Sequence, residues 1–322
     1  MKEAIKNFPQ QFEFEPEVAN TEKLKKHDKF IVCGMGGSSL GAWLLKRDNP
    51  YLDLLLHRDY GLPRVPDYFL KEALIILSSY SGNTEEVLDT AQKCKEKGLS
   101  TAIITDSGEL LQFAKDNKIP YIDLPNTGVE PRMAIGFTMI ALVRLMGDAN
   151  LEEKIKFSGS RLDPNEEKAV GEDLARVLID KIPLIYSSTL NMPLAYNWKI
   201  KFNETAKIPA FYNIFPEFNH NELSGFDIND KSKILSERFN PIFLTDEDDG
   251  PRIKKRMDVM EQLFLDRKIN VTRIPIEGKN AMSKIFRSIL LGEWTALNLA
   301  KHYGSLDAKT PLIAEFKKKI AE

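Results

Sequence analysis

The stretch ILSSYSGNTEEVLDTAQKCKEKG, Ile76–Gly98, sets the reading of the whole chain. It begins as an apolar run of the kind that forms a buried strand. It then passes through Ser78, Ser79 and Ser81 to Gly82, and on into a segment of helical character. Glu85 and Glu86 stand in the first turn of that segment, and Lys95, Lys97 and Gly98 at its end. Acids first, bases last and a terminal glycine match the dipole and the C-cap of a helix. Hydroxyls at the carboxyl end of a buried strand add nothing to packing. In open α/β sheets, however, ligands bind just beyond that end, where a strand feeds a helix. The free amides of a helix N-terminus favour an anion there. The stretch therefore predicts strand, anion-holding turn and helix, with Ser79, Ser81 and Thr84 as donors and Gly82 allowing close backbone approach. Asn83 suits the turn or a cap.

The same pattern occurs upstream. KFIVCGMGG, starting at Lys29, reads as a strand running into glycines, and GMGGSS places Gly34, Gly36, Gly37 and Ser38 before the helical SSLGAWLLKRD. One such turn alone reads equally well as ordinary caps and tight-turn glycines. Two at the ends of adjacent strands favour phosphate. A dinucleotide fingerprint fits less well: Ser39 stands where a third glycine belongs, and Asp59 lies about 20 residues on. A P-loop is excluded, because neither turn ends in Gly-Lys-Ser/Thr.

Further along, LDLLLHRDYGLP, STAIITDSG and IPYIDLP read as strands, and PRMAIGFTMIALVRLMG as an apolar helix. After the charged DANLEEKIKFSGSRLDPNEEK the alternation resumes, with KIPLIYSS, NPIFLTDEDDG and INVTRIPIEG as strands. Between and after these come PLAYNWKIKFNETAK, RIKKRMDVMEQLFLDRK, AMSKIFRSILLGEWTALNLAKHYG and PLIAEFKKKIAE as helices. Regular alternation predicts an α/β fold with mainly parallel, doubly wound sheets flanked by helices. Two domains are expected, 1–150 and 151–322, each a copy of one architecture.

Composition narrows the function. The chain has 322 residues, 43% hydrophobic and 29% charged, with a net charge of -2. Interspersed charge of that size carries no nucleic-acid footprint. No apolar run approaches the roughly 20 residues that span a bilayer, and MKEAIKNFPQQFEFEPE has no signal-peptide apolar region. A cytoplasmic protein without membrane or nucleic-acid partners is expected. Cys33 and Cys94 are the only cysteines and read as buried thiols. His27, His57, His220 and His302 are scattered, so no metal site is expected. No GxSxG elbow supports a hydrolase.

The densest polar stretch of the second half runs from Asn197 to Phe226. Glu204 sits near a helix C-terminus, where the dipole opposes a carboxylate; a partly buried acid there suits general-base work. His220 lies between asparagines able to fix its tautomer. A solvated helix face for Glu204, and a loop or cap role for His220, are the plainer alternatives.

Taken together, GMGGSS, RDYGLP, SSYSGNTEE, PRMAIG, NETAK, PEFNHNE and TPLIAEFK make the chain resemble the bifunctional phosphoglucose/phosphomannose isomerases of the sugar isomerase (SIS) superfamily, in the right order and over nearly its whole length. The resemblance implies two SIS subdomains with a flavodoxin-like sheet, and a homodimer whose active site lies between subdomains and is completed by the neighbouring chain. It implies that Gly37, Ser38, Ser79, Ser81 and Thr84 bind the substrate phosphate and that Arg132 stabilises the charged intermediate. Glu204 is then the base that moves a proton between C1 and C2, and His220, from the neighbouring subunit, assists ring opening. Lys317 contacts the ring oxygen or a nearby hydroxyl, although beside Lys318 and Lys319 it also reads as a solvated lysine. Thr310 is linked to the acceptance of mannose 6-phosphate. The reaction so implied interconverts glucose 6-phosphate, fructose 6-phosphate and mannose 6-phosphate through a cis-enediol, with no cofactor. Another SIS isomerase, of aminosugar or arabinose phosphate, and a non-catalytic phosphosugar sensor are the alternatives. PRMAIG departs mildly from the family's PRAALG but keeps the arginine.

Overall fold

The computed structural model describes residues 1–307 and 309–320. The chain divides into two compact units, Lys6–Asp163 and Pro164–Glu322 with Met1–Ile5. The division falls inside the charged stretch, later than the expected boundary after residue 150. The reason is the helix Ala149–Gly159, whose charges are used within the first unit. Arg144 donates from Nε to Glu152 at 2.7 Å, and Lys156 pairs with the same carboxylate at 2.9 Å. Both cations hold the Glu152 carboxyl below its ordinary range, Arg144 contributing most.

The first unit is built on β1 (Lys29–Cys33), β2 (Leu54–His57), β3 (Ala73–Ser78), β4 (Thr101–Thr105) and β5 (Tyr121–Asp123). The strands lie in the order β2-β1-β3-β4-β5, and neighbouring strands pair in parallel. This is the flavodoxin-like doubly wound order. Every residue of β3 is buried, as expected for a strand covered by helices on both faces. Ile31, Ile75, Leu77 and Ile103 pack with Val87 and Leu110 of the flanking helices in one core.

The second unit carries β6 (Ile182–Ser188), β7 (Phe211–Phe215), β8 (Phe239–Thr245) and β9 (Thr272–Pro275), ordered β7-β6-β8-β9 and again parallel. Strand for strand this repeats β2-β1-β3-β4, so the two units share an architecture that their sequences do not show as a repeat. The edge strand β7 was not expected. Its aromatic, half-exposed run lies within the stretch read as polar, and Tyr186, Phe215, Phe218 and Phe264 form the core beneath it. The 22-residue helix Ala281–His302 is mostly buried and packs on the helix Lys168–Val177. There Gly171 leaves room for Trp294, whose Nε1 donates to the Pro164 carbonyl at 2.6 Å. The last helix, Pro311–Ile320, has no buried residue; Ala321 and Glu322, expected to extend it, lie outside the described residues. Among the described residues no helix is long and apolar enough to cross a membrane.

Candidate functional site

In the first unit, β1 lies between β2 and β3, so the connections from β1 and β3 depart in opposite directions and open a crevice between them. Both hydroxyl-rich turns sit there. After β1 the chain makes a 3-10 turn, Gly36–Ser39, and enters the helix Leu40–Asp48. After β3 it passes through Ser79–Asn83 into the helix Glu85–Glu96, with Thr84 at the N-cap. The turns are stitched together. Ser78 Oγ donates to the Ser38 carbonyl at 3.0 Å, and the Tyr80 amide donates to Ser38 Oγ at 3.1 Å. A hydroxyl that accepts from an amide keeps its own proton for a further acceptor. Ser79 Oγ and Thr84 Oγ1 are 2.8 Å apart, one hydroxyl donating to the other. Thr84 makes no side-chain capping bond, so it does not occupy the first amides of its helix. Ser81 is exposed at the lip of the turn.

Two glycines are required by geometry. Gly82 has φ of 68°, and a Cβ on it would overlap the Ser107 carbonyl. A Cβ on Gly37 would stand 2.7 Å from the Arg132 amide nitrogen. Gly37 thus brings the Arg132 backbone against the first hydroxyl turn. Arg132 lies in the turn Pro131–Met133, its side chain 1% exposed, with Nη1 3.5 Å from Glu130 Oε2. Gly37, Ser38, Ser79, Ser81, Thr84 and Arg132 therefore belong to one locality. Sequence reading missed what holds the arginine turn: Gln11, buried, donates to the Met133 carbonyl at 2.8 Å and accepts from the Gly136 amide at 2.9 Å. Asn83 caps the helix Gly108–Asp116, its Oδ1 accepting from the Glu109 amide at 3.0 Å.

In the second unit, Glu204 sits on a π-helical turn, Phe202–Ala206, that continues the helix Met192–Lys201. Such one-residue bulges are rare and often mark functional sites. Glu204 is half-buried, and Lys207 closes the turn in the left-handed region at φ of 58°. Lys207 Nζ donates to the Glu204 carbonyl at 2.7 Å. Just before the turn, Lys201 forms a buried ion pair with Glu293, the side chains 1% and 5% exposed. Gly292 admits the Lys201 stem: a Cβ there would lie 3.1 Å from Lys201 Cδ.

His220 ends a separate 3-10 turn, Glu217–His220, and is exposed. The turn is held from behind by Phe218, whose ring centroid lies 4.4 Å from that of Tyr186. A clamp anchors the next residues: Glu222 accepts from Tyr186 Oη and, at 2.6 Å, from Asn213 Nδ2. Burial, with the Glu222 charge, pushes the Tyr186 phenol far above its ordinary value. The asparagines beside His220 are committed elsewhere: Asn219 accepts from Arg256 at 3.2 Å, and Asn221 donates to Glu217 at 2.8 Å. Thr310 is half-buried at the start of the last helix, and Lys317 is exposed on it.

The crevice between β6 and β8, which corresponds to the β1/β3 crevice of the first unit, is chemically different. Where β3 leads into hydroxyls, β8 leads into Asp246, Glu247, Asp248 and Asp249. Asn191 donates to Asp246 at 3.1 Å and to Asp249 at 3.3 Å, and Lys284 lies 2.8 Å from Asp246. Burial raises the Asp249 carboxyl above its ordinary value against the pull of its hydrogen bonds to Ser188 and Asn191. This acidic, internally satisfied turn repels a phosphate. Among the described residues no cluster of His, Cys, Asp or Glu could hold a metal ion.

Comparison with known proteins places the chain among phosphosugar enzymes. Residues 167–320 match the model of the bacterial phospho-glucose isomerase C-terminal SIS domain. A bifunctional phosphoglucose/phosphomannose isomerase of Caldicellulosiruptor bescii is 33% identical over 343 residues, covering 100% of this chain and 99% of that protein. One from Aquifex aeolicus is 29% identical over 307 residues, covering 93% and 92%. Among solved structures, the tagatose-6-phosphate ketose/aldose isomerase of Escherichia coli superposes with a TM-score of 0.66 at 15% identity, covering 95% of this chain and 94% of that one.

Proposed function

The chain belongs to the bifunctional phosphoglucose/phosphomannose isomerase family, and from that membership we propose that it interconverts glucose 6-phosphate and mannose 6-phosphate with fructose 6-phosphate. The observation that carries this reading to the residues is the pair of stitched hydroxyl turns at the β1/β3 crevice, which offers an uncharged, donor-rich cradle to a phosphate. Gly37, Ser38, Ser79, Ser81 and Thr84 hold that group. Glu204 is the base. From an aldose it takes the C2 proton; the C–H electron pair forms the C1–C2 double bond, and the carbonyl oxygen O1 gains the charge. Arg132 offsets that charge, a contribution that is large where water is excluded. Delivery of the proton to C1, with transfer of the hydroxyl proton from O2 to O1, gives the ketose.

C2 is planar in the intermediate, so its configuration is lost. Rotation about C2–C3 presents the other face to the same carboxylate, and either epimer can form. One base thus serves two aldoses, and no metal or redox step is needed. His220 opens the sugar ring, Lys317 contacts the ring oxygen or its neighbour, and Thr310 admits the mannose configuration. The enzyme works in the cytoplasm, in sugar-phosphate metabolism, as a homodimer in which His220 serves the neighbouring subunit. Its exposure on a rigidly backed turn supports that role.

The direct test supplies fructose 6-phosphate and detects glucose 6-phosphate and mannose 6-phosphate separately; formation of neither overturns the proposal. Ser79→Ala with Thr84→Val tests the cradle. Hydrogen bonds to charged groups contribute about 1.5–3 kcal/mol each, so kcat/KM should fall at least about tenfold, mainly through KM. An unchanged KM would move the phosphate elsewhere.

A further inference from the structure

The lysine of NETAK has no part in the reaction just described, yet its ammonium is bonded to two separate segments of the chain. Lys207 ends the π-turn in the left-handed region, a conformation that helix ends usually give to glycine or asparagine because a Cβ is disfavoured there. A lysine brings to that position an ammonium that glycine lacks. Its Nζ donates to two carbonyls, Glu204 at 2.7 Å and Lys309 at 2.5 Å. The first bond is a helix C-cap, which any basic residue near a helix end can make. The second reaches across 102 residues of sequence to the segment immediately before Thr310. The helix that follows, Pro311–Ile320, is exposed along its whole length, so packing does little to fix where its leading segment lies. The donor is charged, which strengthens such a bond, although this one lies exposed to solvent.

We propose that the Lys207 ammonium is a positioning residue that sets the spacing between the Glu204 turn and Thr310, and through that spacing the ratio in which the two aldose phosphates are made. The inference rests on the proposed isomerase activity and on the roles given there to Glu204 and Thr310. Both aldoses arise from one intermediate and differ only in the face of C2 that receives the proton. The removal of the first proton is common to both. The branching step depends on how the sugar sits between the base and the residue that admits the mannose configuration. Displacing that residue relative to the base alters the branch more than the shared step.

Lys207→Gly is the informative substitution. Glycine fits the left-handed conformation, so the turn is kept while the ammonium is lost, and thermal unfolding should stay at or above that of the unsubstituted protein. Misplacement of a positioning group by about 1 Å can cost about 100-fold. With fructose 6-phosphate as the common substrate, the mannose 6-phosphate to glucose 6-phosphate product ratio measured at early times should fall at least about tenfold, KM changing little. Lys207→Arg, which restores a cation, should recover most of the original ratio. Equal loss of both products, or an unchanged ratio in a folded Lys207→Gly protein, overturns the inference and leaves Lys207 as a cap. Should the unsubstituted protein make neither aldose, the isomerase reading itself fails; the two failures are therefore separable.

Discussion

Glu204→Gln is expected to abolish nearly all interconversion of both aldose phosphates while leaving fructose 6-phosphate bound. The amide matches the carboxylate in size but cannot accept the carbon-bound proton. A positioned general base contributes ~10²–10⁴-fold, so kcat should fall by about that factor for both products, with KM within a few-fold. Because Glu204 is only half-buried, its replacement should cost little stability. Turnover near that of the unsubstituted enzyme would remove Glu204 from the mechanism. Equal loss of both activities is part of the expectation, since one carboxylate serves both. Mixing this variant with His220→Ala tests the subunit reading as well. If His220 serves its neighbour, hybrid dimers hold one site with both groups intact, and activity returns. Hybrids that form and remain inactive would assign His220 to its own chain.

The second large effect concerns the ion pair directly before the Glu204 turn. Lys201 and Glu293 are almost wholly buried together. Their mutual attraction offsets a desolvation cost of several kcal/mol per ion. Lys201→Met removes that compensation and leaves the Glu293 carboxylate in a low-dielectric interior; the expected loss is about 3–5 kcal/mol. That is a large share of the ~5–15 kcal/mol by which a domain is ordinarily stable. The urea midpoint should drop accordingly, and the same should hold for Glu293→Leu alone. The double substitution Lys201→Met with Glu293→Leu removes both charges and should recover most of the loss, because apolar groups of similar volume often equal a buried pair. Additive losses in the double variant would show that the two side chains are not coupled.

Much of the first unit was legible because its signals are local. A β-branched run ending in glycine and serine, an acidic first helical turn and a basic last one are each read within a dozen residues, and each appears at the predicted place. The two hydroxyl-rich turns were legible for the same reason. Strand β7 was not. FYNIF is an aromatic, half-exposed edge strand, and neither strict alternation nor a continuous aliphatic run marks it. The domain boundary was expected at residue 150, before most of the helix Ala149–Gly159, because the charges of that stretch look solvated until Arg144 is seen to bind Glu152. NPIFLTDEDDG was read as a strand throughout, but the strand ends at Thr245, and Asp246 and Asp249 lie buried in the turn that follows. The signal that could have exposed it was the run of acids standing where the homologous turn carries hydroxyls.

By itself the sequence determined the alternation of strands and helices, β7 apart, and the hydroxyl turns, and it offered Glu204, His220 and Arg132 as candidates. Those follow from backbone preference and from chemistry carried by single residues or short runs. Only the tertiary structure decided that Gln11 fixes the arginine turn, that Lys201 meets Glu293 inside the protein, and that Lys207 ties the Glu204 turn to the segment before Thr310. Each of those joins residues about a hundred positions apart. For the first two the energy comes from removing paired polar groups from water together, and all three exist only after the chain has brought their partners into contact.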